Sequence, residues 1–425
     1  MVSLRVIAKM ASASRIIGWS AAAQIASNAS NFVFTVLVAR TVDTHYLGMF
    51  ATLMVASSLA IGIVRAFSSE PSIFKESSVA VFTGKDRTAA VLGSSIGLGV
   101  ISGLGVFVIS YAVSADPVLS SVFGTASVMA VVQDSVRFVL VDNARAKLAF
   151  FAESIWILVQ LPIMLLVLER HSLSWLIVAW AIGASSSVVF GIIVLKPRVS
   201  LRLTVSWLGR VHRVGFHYLA DFIVSGGLTQ LVTFVVAIAA GFQAAGDLRA
   251  AQLLLTPLNM FTVSMTFALA PQVSRLAAIG DLKRLRRLPF QYGSTVALIS
   301  ILCVVFVSLL PDVVLKGLMG ESMHGGLEVF PYAAFAMCIM GVAVGPGLTL
   351  RAVGKVRASM LIKAVTAPLT LVLVWFGATT SQAVGSQAGL AAGTLMRATG
   401  SRMLMTRALT DYANQRKVLV DEKIT

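Results

Sequence analysis

Residues 22–35 read AAQIASNASNFVFT, an apolar run that nevertheless carries Gln24, Asn28, Asn31 and Thr35. At 100° per residue these four positions fall within about 60° of one another on a helix, with Ser20 beside them. The segment is therefore a helix with one polar stripe. Its setting follows from the rest of the chain, in which 57% of the 425 residues are hydrophobic and 12% are charged. A soluble domain does not need that much apolar surface, so the chain is read as an all-α polytopic membrane protein.

A spanning helix needs about 20 predominantly apolar residues. Twelve stretches qualify: residues 15–38, 46–66, 89–113, 118–141, 151–169, 173–195, 215–240, 248–270, 291–311, 328–350, 357–377 and 384–406. The gaps between them are short and leave no room for a soluble domain.

The net charge of +16 would suggest nucleic acid in a soluble protein. Sorting the basic residues by loop removes that reading, because 30 of the 34 fall on one side of a twelve-span chain. The other side holds only Arg40, Arg170, Arg249 and Lys316. Such a split follows the positive-inside rule and predicts a multi-pass cell-membrane protein with both termini cytoplasmic. A basic N-terminus before an apolar run is interrupted by the amides, which argues against a cleaved signal peptide.

Two halves are discernible. Gly18-Trp19-Ser20 with Gln24 and Asn28 lines up with Gly215-Phe216-His217, Asp221 and Ser225, and LGMFATLMVASS from Leu47 with AGDLRAAQLLLT from Ala245. VDNARAKLAF from Val141 lines up with RAVGKVRASM from Arg351. The shared order and near-constant offset predict two six-helix bundles, residues 1–200 and 201–425. The connection 196–213 mixes Leu, Val and Trp with Arg and His, as an interfacial stretch or an ordinary linker would. Glycines recur every fourth residue at 93/97, 99/103, 341/345 and 385/389/393, a spacing that lets helix backbones approach closely.

Polar stripes recur within the spans. Arg249, Gln252, Thr256 and Asn259 lie within about 80° on segment eight, and Asp221 and Ser225 share a face on segment seven. Asp134 and Arg137 are three apart and placed to pair, while Glu153 and Gln160 share a face on segment five. Such groups face a bundle interior or a wet cavity, or act as hydrogen-bond glue between helices. Several turns of polarity along segment one favour the cavity. The match of Asn28-Ala29-Ser30 to a glycosylation acceptor is spurious in mid-span.

Enzymatic readings fare poorly. Five dispersed histidines lack metal-ligand spacing, no Walker-type phosphate loop exists, and Cys303 and Cys338 lie within spans. Asp43-Thr44-His45 is too short a signal for a glycosyltransferase. No enzyme, metal or cofactor is expected.

QDSVRFVLVDNARAKLAFFAESIWILVQ from Gln133, AAGDLRAAQLLLTPLNMFTVSMTFALAPQVSRL from Ala244, and an opening span followed by VLVART and YLGMF resemble a known family. It comprises the lipid-linked oligosaccharide flippases of polysaccharide biosynthesis, in the multidrug, oligosaccharidyl-lipid and polysaccharide (MOP) exporter superfamily that includes MATE transporters. The resemblance implies two six-helix bundles forming a V, with helices one, two, seven and eight lining a cavity. It implies alternating access that carries a polyprenyl-diphosphate-linked glycan across a bacterial inner membrane. Arg40, Arg137 and Arg249, with Arg65 more readily read as an interfacial anchor, become candidate phosphate or acidic-sugar contacts. Asp134 and Asp221 become candidates for coupling to protons or sodium. The implied partners are the lipid-linked glycan, membrane lipid, and the pathway's polymerase and glycosyltransferases. Peptidoglycan-precursor members have two further helices, which points away from them. The alternatives are an organic-cation extruder of the same superfamily and a non-transporting scaffold of polysaccharide assembly.

Overall fold

The computed structural model describes residues 2–73 and 77–421; side chains are described except those of 2–17, 77, 225, 267, 268, 270, 271, 278, 356 and 414–421. The basic residues expected at 5, 9, 15, 75, 416, 417 and 423 thus lie outside the described side chains.

The helices follow one another as α1 (Val2–Thr41), α2 (Thr44–Phe67), α3 (Glu70–Ile73), α4 (Gly84–Ser114), α5 (Pro117–Asp142), α6 (Ala146–Val167), α7 (Leu173–Leu195) and α8 (Leu201–Phe222). Then come α9 (Leu228–Ile279), α10 (Leu282–Ser308), α11 (Asp312–Met319), α12 (Met323–Ala352) and α13 (Val356–Asp421). Among the described residues ten helices are long and apolar enough to cross a membrane. The expectation was twelve, and the difference has two sources. Segments 215–240 and 248–270 join because the stretch between them is helical, interrupted only at Gly241, whose φ of 87° suits a residue without Cβ. Segments 357–377 and 384–406 form one element, α13, broken at Ser381 and Gln382.

At that break α13 turns back on itself. Gly377 lies against the carbonyl of Gly385, Gly389 against the carbonyl of Leu373, and Gly393 against the side chain of Thr370. The fourfold glycine spacing therefore lets two antiparallel arms meet backbone to backbone. Gly93, Gly103, Gly341 and Gly345 are likewise in close contact, with Thr204, Val128, Val296 and Pro289 respectively; Gly97 faces open space.

The chain packs as two compact units, Met1–Gln230 and Leu231–Thr425. The division lies beyond residue 200 because α8 belongs to the first unit. Thr204, Trp207, Val211 and Gly215 form its buried face at helical spacing. Trp207 is fully buried, its Nε1 donates to the Phe67 carbonyl at 3.1 Å, and Gly215 receives the Phe67 ring. The stretch read as an interfacial segment or a linker is an amphipathic helix docked on α2 and α4. It passes through a π-helical turn at Ile223–Gly227 into α9.

Within the first unit α5 is central, packed on α2, α4, α6 and α7, while α1 rests chiefly on α6. The outer faces are apolar: on α4, Val100, Ile101, Leu104 and Val108 are all exposed, as lipid-facing residues are. The second unit is built on α10, α12 and α13 with the end of α9. There Leu269, Val273, Leu285, Tyr292, Val296, Leu350 and Leu409 share a core.

The repeat read at an offset of 210 is a shared turn. After α5, the amides of Asn143, Ala144 and Arg145 donate to the carbonyls of Val139, Val141 and Leu140. After α12, those of Val353, Gly354 and Lys355 donate to Thr349, Arg351 and Leu350. The middle residue is left-handed in both, Ala144 at φ 58° and Gly354 at φ 79°. Here the helix end satisfies its last carbonyls by the same local route twice.

Candidate functional site

In the first unit, the α1 stripe is continuous with a buried network of charges. Gln24 is exposed and Asn28 half-buried, and Gln24 Nε2 donates to Asn28 Oδ1 at 3.0 Å. The other end of the Gln24 amide accepts from Arg137 Nη1 on α5 at 3.3 Å. Arg137 Nη2 in turn donates to Asp134 Oδ1 at 2.6 Å, the expected pair three residues apart on α5.

Asp134 has a second partner that the sequence reading missed. Arg65, at the end of α2, donates from Nε to Oδ2 at 2.9 Å and from Nη2 to Oδ1 at 2.8 Å. This two-pronged geometry is the strong form of the arginine–carboxylate contact. Arg65, whose place at a span end suggests an interfacial anchor, is thus also tied across helices to a buried carboxylate.

Glu153 on α6 closes the network. Its side chain is 1% exposed and its Oε1 lies 3.7 Å from Arg137 Nε. The same oxygen accepts from Gln133 Nε2 at 2.8 Å. Two guanidiniums thus face two carboxylates in an apolar surrounding, where an unpaired charge would be expensive. Phe138 meets both arginines, its ring centroid 4.8 Å from the guanidinium of Arg65 and 5.2 Å from that of Arg137. Glu153 carried a sequence signal, a mid-span acid; Phe138 carried none that separates it from core.

Other stripe residues part company. Asn31 is exposed, but Thr35 is 2% exposed and its hydroxyl donates back to the Asn31 carbonyl at 2.8 Å. Arg40 is exposed at the last turn of α1, far along the helix from Arg137. Gln160 is buried and accepts from the Ser30 hydroxyl at 3.3 Å, joining α6 to α1 as interhelical glue. Ser57 with Ser127, and Ser95 with Ser135, join α2 and α4 to α5 in the same manner, at 2.6 Å each.

Asp221 is half-buried near the end of α8, and so lies in the first unit; the Ser225 side chain is outside the described ones. Its charge reaches Glu70 on α3, just outside the spans. Burial pushes the Glu70 carboxyl above the usual range; Arg65 opposes the shift, and Asp221 and Asp134 add to it.

In the second unit, Arg249, Gln252 and Thr256 are half-buried and Asn259 exposed, while Ala250, Ala251, Leu253, Leu254, Leu255 and Leu258 are buried. The predicted stripe is therefore more accessible than the alanines and leucines beside it, although the Nε of Arg249 is itself buried. Asp43, in the short acidic motif, has a local role: it caps α2 by accepting from the Tyr46 amide at 2.8 Å.

No protein-family model matches the chain, and no curated protein matches it. Solved structures do. An inward-facing multidrug-resistance MATE family transporter of the MOP superfamily is similar at a TM-score of 0.67 and 13% identity, over 91% of this chain and 96% of that one. The lipid II flippase MurJ, in an inward closed conformation, is similar at 0.69 and 13%, over 93% and 90%. A MOP superfamily transporter from Pyrococcus furiosus is similar at 0.55 and 11%, over 95% and 96%. The chain has the fold of MOP-superfamily transporters, and these neighbours are transporters and flippases rather than enzymes.

Proposed function

We propose, from a fold shared with MOP-superfamily transporters, that this protein is a flippase. It moves a polyprenyl-diphosphate-linked oligosaccharide or polysaccharide repeat unit across the cytoplasmic membrane by alternating access. The observation that carries the reading is the hydrogen-bonded run from Asn28 through Gln24 to Arg137, Asp134 and Arg65. A ladder of amides leading to guanidiniums suits a hydroxyl-rich, phosphate-bearing ligand. In this reading the exposed amides of α1 and the α9 stripe hold the glycan, Arg137 and Arg249 meet the diphosphate, and Arg40 marks the outer end. The prenyl tail stays in lipid. Asp221, and Asp134 where its two arginines release it, are the carboxylates through which a proton or sodium gradient would act, and the pathway's polymerase and glycosyltransferases are the protein partners.

Topology belongs to the same proposal. Divided at Gly241 and at Ser381–Gln382, the ten long helices make twelve crossings. The chain's 30-to-4 division of basic residues then puts both termini in the cytoplasm.

The multidrug likeness favours a second reading, an extruder of organic cations. Such a site needs a carboxylate available to a cation, whereas Asp134 is held by two arginines and Glu153 by Arg137 and Gln133. The deciding experiment replaces Gln24, Asn28 and Asn31 together by Ala, with transfer of a fluorescent lipid-linked oligosaccharide followed in proteoliposomes. Loss of transfer by an inserted protein is expected. Retained transfer overturns the cavity assignment, and efflux of ethidium without glycan transfer establishes the extruder.

A further inference from the structure

We propose that the second unit carries a site for the phosphate headgroup of an anionic membrane phospholipid, built by Arg275, Arg284 and Arg287. The site is a cavity of about 710 Å³ where the end of α9 meets the start of α10. That volume lies within the roughly 300–1,000 Å³ typical of small-molecule sites. This proposal uses none of the flippase reading's residues and rests only on the topology stated with it.

Two helix faces make the cavity. Gln272, Arg275, Leu276 and Ile279 recur at i, i+3, i+4 and i+7 on α9, and Arg284, Arg287 and Gln291 at i, i+3 and i+7 on α10. Three guanidiniums and two amides therefore converge on one space. Asp281 meets part of this charge: it caps α10 by accepting from the Arg284 amide at 3.0 Å and lies 3.4 Å from Arg284 Nε. Among the described residues Arg275 and Arg287 make no ion pair. Like charges held this close repel unless an anion joins them, and the guanidinium fork fits the oxygens of a phosphate.

The position selects a lipid over a soluble anion. Gln272 to Ile279 form the last turns of α9, just past the apolar stretch 248–270, and Arg284 to Gln291 form the opening turns of α10. The cavity is thus at headgroup level on the basic side of the chain. Leu276, Leu288 and Ile279 line it, and Ile279 stands 58% exposed, offering apolar surface to acyl chains. Basic pockets between spans at this depth take anionic headgroups.

The test is native mass spectrometry of the full-length protein in detergent, titrated with phosphatidylglycerol, with phosphatidylcholine and, separately, with inorganic pyrophosphate. The wild type should retain phosphatidylglycerol about tenfold or more over phosphatidylcholine. Arg275→Gln/Arg287→Gln should abolish that preference, and Arg402→Gln, an exposed basic residue of α13 outside the cavity, should leave it intact. Arg275→Lys/Arg287→Lys keeps the charges without the fork and should fall between, which preserves the test if the Gln variant fails to fold. An unchanged preference in both double variants overturns the site. Saturable pyrophosphate binding with no preference between the two lipids overturns the lipid assignment.

Discussion

Arg65 and Asp134 meet through two parallel hydrogen bonds, at 2.9 and 2.8 Å, across 69 residues of sequence and between two different helices. Arg137 takes the same carboxylate at 2.6 Å. One acid therefore neutralises parts of two arginines; removing it strands Arg65 and leaves Arg137 only the longer contact with Glu153. Asp134→Ala is expected to cost about 3–5 kcal/mol, the usual consequence of breaking a buried ion pair from one side. In the double variant Arg65→Ala/Asp134→Ala part of that cost is recovered, because one of the stranded charges is gone as well. Equilibrium unfolding in detergent micelles measures the cycle; strictly additive costs would dismiss the pairing.

Ala144 and Gly354 occupy equivalent left-handed positions, and only one of them is glycine. Gly354→Ala should therefore destabilise by about 1–2 kcal/mol, the steric cost of a Cβ in that conformation. Ala144→Gly relieves the same cost and is opposed by the greater freedom of the unfolded chain, leaving it near neutral or slightly stabilising. Opposite or clearly unequal shifts in melting temperature are the expected signature. Equal losses in both variants would show that the two turns are not alike.

Glu70 supplies a pH dependence of defined sign. Its carboxyl titrates higher in the folded protein than the usual value of about 4.3, chiefly through burial. The folded state then binds more protons than the unfolded one between the two values, so stability falls as pH rises through that window. The groups facing it are Arg65, Asp221 and Asp134, from α2, α8 and α5. Glu70→Gln is expected to be more stable than wild type at neutral pH and to lose that part of the slope. Thermal unfolding between about pH 4 and 8 tests this; an identical slope in the variant would locate the titration elsewhere.

The two arms of α13 touch at Gly389 and the Leu373 carbonyl. A side chain there has no flexible neighbour to displace, only backbone. Gly389→Leu should force the arms apart at a cost of about 1–3 kcal/mol or more. Gly97→Leu, at a position facing open space, should be tolerated. Comparing folded yield and melting temperature of the two variants separates packing glycines from idle ones, and equal losses would count against the hairpin.

Much of this architecture is written in local patterns. Hydropathy marks where the chain is apolar for long enough to span, and helical spacing places Gln24 beside Asn28, and Asp134 beside Arg137, before any tertiary contact is known. The sequence repeat between Val141 and Arg351 proved to be one turn built twice, since helix-end hydrogen bonding depends only on neighbours. At residues 240–248 the expected gap between two spans shrinks to one break at Gly241, whose φ of 87° ends one helix as the next begins. Thr35 shares the stripe's angle yet is buried and bonds its own backbone, because a threonine hydroxyl can be satisfied without leaving its helix.

By itself, then, the sequence dictated a helical membrane chain, its polar stripes and its small-residue contacts, because each depends on periodicity or length along a continuous segment. Packing alone chose who meets whom. Arg65 with Asp134, Trp207 with the Phe67 carbonyl, Glu153 with Gln133, and three arginines around one cavity are all encounters between separate segments. No local rule ranks such partners; the need to satisfy each buried charge and donor does, once the helices have come together.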